Sequence, residues 1–129
     1  MMKKLLTCFF AMLGLTSACG QQNYEDVDVQ QFAALVGDTD VVVLDVRTAG
    51  EFREGYIDRA INIDVKQGDF LQKAKATLPA DRKIAVYCRS GRRSANACRQ
   101  LAAEGYQVVN LKGGIMAWTG SQMPVKVEE

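Results

Sequence analysis

A chain of 129 residues, 48% hydrophobic and 24% charged, has the size and composition of one globular domain. Its 16 basic and 15 acidic residues give a net charge of +1, which offers no support for a general nucleic-acid binder. Histidine is absent, so the Cys/His pairing of most cysteine hydrolases is excluded.

The first residues read as an export signal. Met1-Met2-Lys3-Lys4 is a basic start, Leu5 to Leu15 is apolar, and the small residues Thr16-Ser17-Ala18 precede Cys19. The apolar run is too short to span a bilayer as a mature helix. Thr16 and Ala18 suit an ordinary signal peptidase, while Ser17-Ala18-Cys19-Gly20 resembles a bacterial lipoprotein signal, with Thr16 where leucine is usual. The expectation is removal of residues 1–18 and residence in the periplasm or at a membrane, with Cys19 as the lipidation residue. Any membrane contact then runs through that N-terminal anchor. Removing Lys3 and Lys4 leaves the acidic residues in excess by one.

Residues 19–23 form a polar tether, 24–120 the domain and 121–129 a C-terminal tail. Asp28 reads as the N-cap of a helix over Val29 to Val36, with Phe32, Leu35 and Val36 on one face and Gly37 ending it. Val41 to Val46, apolar up to Asp45, fits a central strand buried on both faces. Thr48 to Gly55 predicts a helical turn, Ala60 to Ile63 a short strand, and Gly68 to Leu78 an amphipathic helix stopped by Pro79. Strand Ile84 to Tyr87, a helix from Arg92 to Glu104 closed by Gly105, strand Gln107 to Leu111 and a helical turn over Gly113 to Trp118 complete the chain. Strands alternating with helices predict a parallel sheet covered by helices. Phe32, Phe52 and Trp118 are expected in the core.

The densest chemistry lies in Tyr87-Cys88-Arg89-Ser90-Gly91-Arg92-Arg93-Ser94. A strand delivers Cys88 to its carboxyl end, and a helix begins at once, so its first-turn N–H groups face the sulfur and favour thiolate. From Arg82 to Ala103 there are six basic residues and no acidic one, a local field suited to a small anion. Ser90 and Ser94 can donate to bound sulfur or oxygen, and Ser94 serves equally as a helix cap. Cys98 reads as a small buried hydrophobe deep in the helix, too far along it to bridge Cys88.

Three segments together resemble the rhodanese-like sulfurtransferases from about Tyr24 to Trp118. They are Leu44-Asp45-Val46-Arg47 with Glu51-Phe52 and Gly55-Tyr56-Ile57-Asp58-Arg59-Ala60-Ile61-Asn62-Ile63; the Cys88 turn; and Leu111-Lys112-Gly113-Gly114-Ile115-Met116-Ala117-Trp118. The resemblance implies an α/β fold with a central five-stranded parallel sheet flanked by helices on both faces. It implies that Cys88 is the catalytic nucleophile and that Arg89, Ser90, Gly91, Arg92 and Arg93 bind substrate. Asp45 and Arg47 become a supporting ion pair, and Glu51 a partner for an arginine.

Tyr56 stands where the family usually has histidine, and Arg59 where glycine is common. Both departures bear on substrate preference and loop geometry. The related phosphatases use C-x5-R, one residue longer than the sulfurtransferase loop; counting Cys88 as first, the sixth residue is Arg93 and the seventh is Ser94. The implied chemistry takes sulfane sulfur from a small anionic donor such as thiosulfate as a Cys88 persulfide, then passes it to cyanide or a thiol. No metal or cofactor is called for. A persulfide carrier or partner-binding module in the cell envelope, served by a protein sulfur donor or acceptor, is the alternative.

Overall fold

The computed structural model describes residues 23–128, so the expected signal, Cys19 and most of the tether lie outside the described residues. Val42–Asp45 and Ile84–Tyr87 are continuous apolar runs up to their last residue because helices cover both of their faces. In chain order the elements are β1 (Glu25–Val27), α1 (Val29–Val36), β2 (Val42–Asp45), α2 (Ala49–Glu54) and β3 (Ile61–Asn62). There follow α3 (Phe70–Thr77), β4 (Ile84–Tyr87), α4 (Arg92–Ala103), β5 (Val108–Leu111) and α5 (Gly114–Gly120). The five strands form one parallel sheet in the order β1-β5-β4-β2-β3, the expected architecture, with β4 at its centre.

Side chains alternate along each strand and sort into two cores. Ile84, Val86 and Val108 pack with Phe70, Ala74, Ala97, Cys98 and Leu101 of α3 and α4. Ala85, Tyr87, Val109 and Leu111 pack on the opposite face with Phe32 of α1 and Ile115 and Trp118 of α5. Phe32 meets Tyr87 and Trp118 edge to face, at centroid distances of 6.1 and 6.0 Å. Phe52 departs from its expected place: it is half-buried and belongs to neither core, because its ring stacks on Tyr56 at 4.3 Å instead. The strand Glu25–Val27 is not among the expected elements, its only buried residue being Val27.

Caps fall where side-chain chemistry places them. Asp28 and Gln31 close a capping box at the start of α1, and Thr48 and Glu51 close another at α2. Arg59 has a φ of 70°, a left-handed conformation that explains why glycine suits this position. Its guanidinium donates to the carbonyl of Val36 at 2.7 Å, of Asp38 at 2.9 Å and of Val41 at 3.2 Å, tying the end of α1 to the loop after it. Arg59→Ala keeps the unfavourable φ and loses these bonds, at a cost of about 1–2 kcal/mol. Arg59→Gly regains roughly 0.5–1 kcal/mol of that by relaxing the backbone. Urea denaturation should therefore rank wild type above the glycine variant and the glycine variant above alanine.

Candidate active site

Cys88 follows the last residue of β4, and the loop Cys88–Gly91 turns directly into α4. Gly91 is the N-cap, with a φ of 101°. A Cβ there would stand 3.2 Å from Gly113 N and 3.4 Å from Leu111 O, so glycine also permits the loop's close approach to the chain after β5. Cys88 Sγ accepts the N–H of Gly91 at 3.1 Å and the hydroxyl of Ser94 at 3.3 Å. Cys88 is only 1% exposed, and burial by itself would raise its pKa. The hydroxyl of Ser94 and the N–H groups of Ser94, Gly91 and Ser90 outweigh that burial and hold the thiol below its ordinary range. Ser94 thus serves the sulfur and not a helix cap. The thiolate is the reactive form, so alkylation should rise with pH to a midpoint below that of an unperturbed cysteine thiol.

The loop is held from outside. Ile115 N–H donates to the carbonyl of Cys88 at 2.9 Å and Met116 N–H to that of Arg89 at 3.1 Å. In a trans peptide the carbonyl and the following N–H point opposite ways. Anchoring these carbonyls on α5 therefore turns the next N–H groups toward the sulfur, which makes a nest for an anion. Gly113-Gly114 allows the approach: a Cβ on Gly114, at φ 62°, would come within 2.3 Å of Arg89 O and 2.7 Å of Cys88 O.

The arginines divide. Arg93 makes a two-pronged pair with Glu51, at 2.8 and 2.9 Å, so its charge is already engaged. Arg89 and Arg92 are exposed and form no ion pair among the described residues. The Arg93 bond, opposed by burial and helped by Thr48, holds the Glu51 carboxyl down to about 2. A depressed carboxylate pKa contributes stability above the unfolded value, about 4.3, and that contribution is lost as pH falls toward 2. Glu51→Gln should cost about 1–2 kcal/mol at neutral pH, discounted for solvent screening, with the gap to wild type closing below pH 4 in urea titrations.

Asp45 and Arg47 form the expected internal pair. Arg47 Nε and Nη2 donate to Asp45 at 3.0 and 2.6 Å, and Nη2 reaches the Gly55 carbonyl at 2.7 Å. Both are nearly fully buried, and the guanidinium carbon stands 5.6 Å from the centre of the Tyr87 ring. The pair clamps the end of β2 to the turn after α2.

Beside the loop is a cleft of about 250 Å³. Arg47, Glu51, Glu54 and Arg89 supply its polar side, and Ile115, Met116 and Val125 its apolar side. Cys88 is not among its lining residues, consistent with its burial. Val125 is present because the segment read as a tail folds back. Tyr56 and Lys126 exchange backbone hydrogen bonds at 2.9 and 2.8 Å, and Trp118 Nε1 donates to the Pro124 carbonyl at 2.9 Å. Tyr56 thus contributes its backbone to the C-terminal bridge and its ring to Phe52.

Residues 28–121 match the rhodanese-like domain. The chain belongs to the rhodanese-like family. A sulfurtransferase from Allochromatium vinosum is 35% identical over 106 residues, which cover 81% of this chain and 96% of that protein. Thiosulfate sulfurtransferase 18 of Arabidopsis thaliana is 37% identical over 128 residues, covering 89% and 93%. Among solved structures, a rhodanese-related protein from Thermoplasma volcanium is similar with a TM-score of 0.74 and 33% identity, covering 81% of this chain and all of that one. Sulfur transfer is accordingly the general chemistry of this rhodanese-like chain.

Within this rhodanese-like site, the structure gathers Cys88, Arg89, Ser90, Gly91, Arg92 and Arg93 in one loop and helix start, with Asp45 and Arg47 at the neighbouring strand end. The sequence leaves Ser94 open between two roles and names neither α5's hold on the loop nor Val125. A glycine pair before a helix signals close backbone approach; Val125 carries no comparable signal.

Proposed function

We propose that this chain takes sulfane sulfur from thiosulfate or a similar anionic donor and passes it through a Cys88 persulfide to cyanide or a thiol. The carrying observation is the convergence of backbone N–H groups and the Ser94 hydroxyl on Sγ in a loop of six positions, Cys88 to Arg93. Cys88 thiolate attacks the outer sulfur of thiosulfate. The S–S bond to the sulfonate sulfur breaks with its electron pair, sulfite leaves, and Cys88–S–S⁻ remains. Cyanide then attacks the terminal sulfur, thiocyanate departs and the Cys88 thiolate is restored. The loop's inward N–H groups stabilise the persulfide anion, while Arg89 and Arg92, both without ion-pair partners among the described residues, attract the donor. In the phosphatase count the seventh residue would be a phosphate-binding arginine; here it is Ser94, whose hydroxyl faces the sulfur.

A second reading rests on the 1% exposure of Cys88: a carrier loaded by a protein donor, which turns over free thiosulfate poorly. Intact mass after thiosulfate treatment separates the two. A gain of one sulfur on Cys88, discharged quickly by cyanide, supports the enzyme. No gain without a protein donor supports the carrier. Export and lipidation of Cys19 are proposed from the N-terminal pattern, and fatty-acid labelling that disappears in Cys19→Ala tests them.

A further inference from the structure

Asn110 is the third residue of β5 and lies on the face that carries Val108 into the core, yet it is polar and only 4% exposed. Its Nδ2 donates to Asp26 Oδ1 at 3.0 Å and to the Gly91 carbonyl at 3.3 Å. Both partners are acceptors, which fixes the orientation of the amide. Oδ1 is left buried with no hydrogen-bond partner, a destabilising arrangement that an apolar residue would avoid. The Gly91 carbonyl has a second donor in Ala95 N–H at 3.1 Å, so satisfying that carbonyl does not by itself require Asn110.

We propose that Asn110 is a positioning residue for the sulfur cradle, acting through Gly91, with Asp26 holding its amide in place. Cys88 O and Arg89 O are anchored by α5, and Gly91 O is the third outward carbonyl of the loop. Holding it to β5 fixes the residue whose own N–H donates to the sulfur at 3.1 Å, at the start of α4, where the first N–H groups have no intrahelical acceptors. Asp26 lies on β1 and Asn110 on β5, paired in register, so the edge strand's contribution reaches the loop through one amide.

The inference rests on the reading of Cys88 as the sulfur-bearing thiolate. Its test is the pH dependence of iodoacetamide alkylation, with mass mapping to assign the label to Cys88. The Cys98 thiol, pushed up by burial to about 12, stays silent across the range. Asn110→Leu removes the donor and the orphaned Oδ1 and keeps the branching and number of side-chain heavy atoms, so its folding stability should stay near wild type, the relief of the orphaned oxygen offsetting the bulkier methyl groups. The alkylation midpoint should still rise by about half a pH unit, and kcat/KM for thiosulfate at neutral pH should fall about three- to tenfold. Asp26→Ala, on the exposed edge strand, should move the midpoint the same way by less. An unmoved midpoint in folded Asn110→Leu, or in Asp26→Ala should the leucine variant not fold, overturns the proposal. Failure of the Cys88 reading looks different: wild type then gains no sulfur on Cys88 from any donor, whatever the variants do.

Discussion

Cys88→Ser should lose sulfur transfer by a factor of at least about 10³ while keeping the fold. Serine accepts the same hydrogen bonds from Gly91 N–H and the Ser94 hydroxyl, so the loop retains its shape. Its hydroxyl stays protonated at neutral pH, whereas the cradle holds Cys88 toward thiolate, and an oxygen cannot form a persulfide. Exchanging one buried atom should lower stability by about 1 kcal/mol or less, a shift of a few degrees in melting temperature. Thiosulfate-dependent thiocyanate formation, read beside a circular dichroism melt, checks both halves. Turnover above a tenth of wild type would remove Cys88 from the reaction.

Gly114→Ala should damage stability and activity together. Its Cβ would lie 2.3 Å from Arg89 O, 2.4 Å from Arg89 C and 2.7 Å from Cys88 O, all backbone atoms with no flexible end to swing away. The φ of 62° adds left-handed strain for any side chain. Loop and helix must separate, which breaks the bonds from Ile115 N–H and Met116 N–H that aim the cradle. The expected cost is about 3 kcal/mol or more, with a fall in kcat of at least about tenfold in whatever remains folded. Gly120→Ala is the matched control: nothing lies within 4 Å of its added carbon, and it should behave as wild type. Equal denaturation midpoints for the two variants would mean the contact of α5 with the loop carries no load.

The parts legible in the sequence are those where one residue type answers one local demand. Buried central strands need unbroken apolar runs, and Val42–Asp45 and Ile84–Tyr87 show them. A cysteine at a strand end, followed at once by a helix rich in arginine, is readable as a local pattern, and Cys88 does stand between β4 and α4. The less legible parts depend on distant backbone. The resemblance gives Glu51 an arginine partner, but that this arginine is Arg93, 42 positions later, appears only when α2 is placed beside α4. Glu25–Val27 forms a strand because β5 offers it an edge, a partner that a stretch with one buried residue cannot announce. Arg59 sits at a positive φ because its guanidinium ties three carbonyls, an arrangement set by the loop after α1.

The return of the C-terminal segment to Tyr56 has a practical consequence for handling the protein. Val125 is a wall of the cleft and Lys126 is fixed to Tyr56, so a purification tag or fusion partner joined after Glu129 begins only a few residues, at most about 18 Å of extended chain, from the cleft wall. Val127, 58% exposed, is already on the outward path. In a parallel sheet the strands' amino ends lie opposite their carboxyl ends, so a tag joined ahead of β1 starts at the far end from Cys88. A C-terminal fusion is therefore a change to the active-site surroundings, and an N-terminal one, attached to the chain from Gln21, leaves them clear.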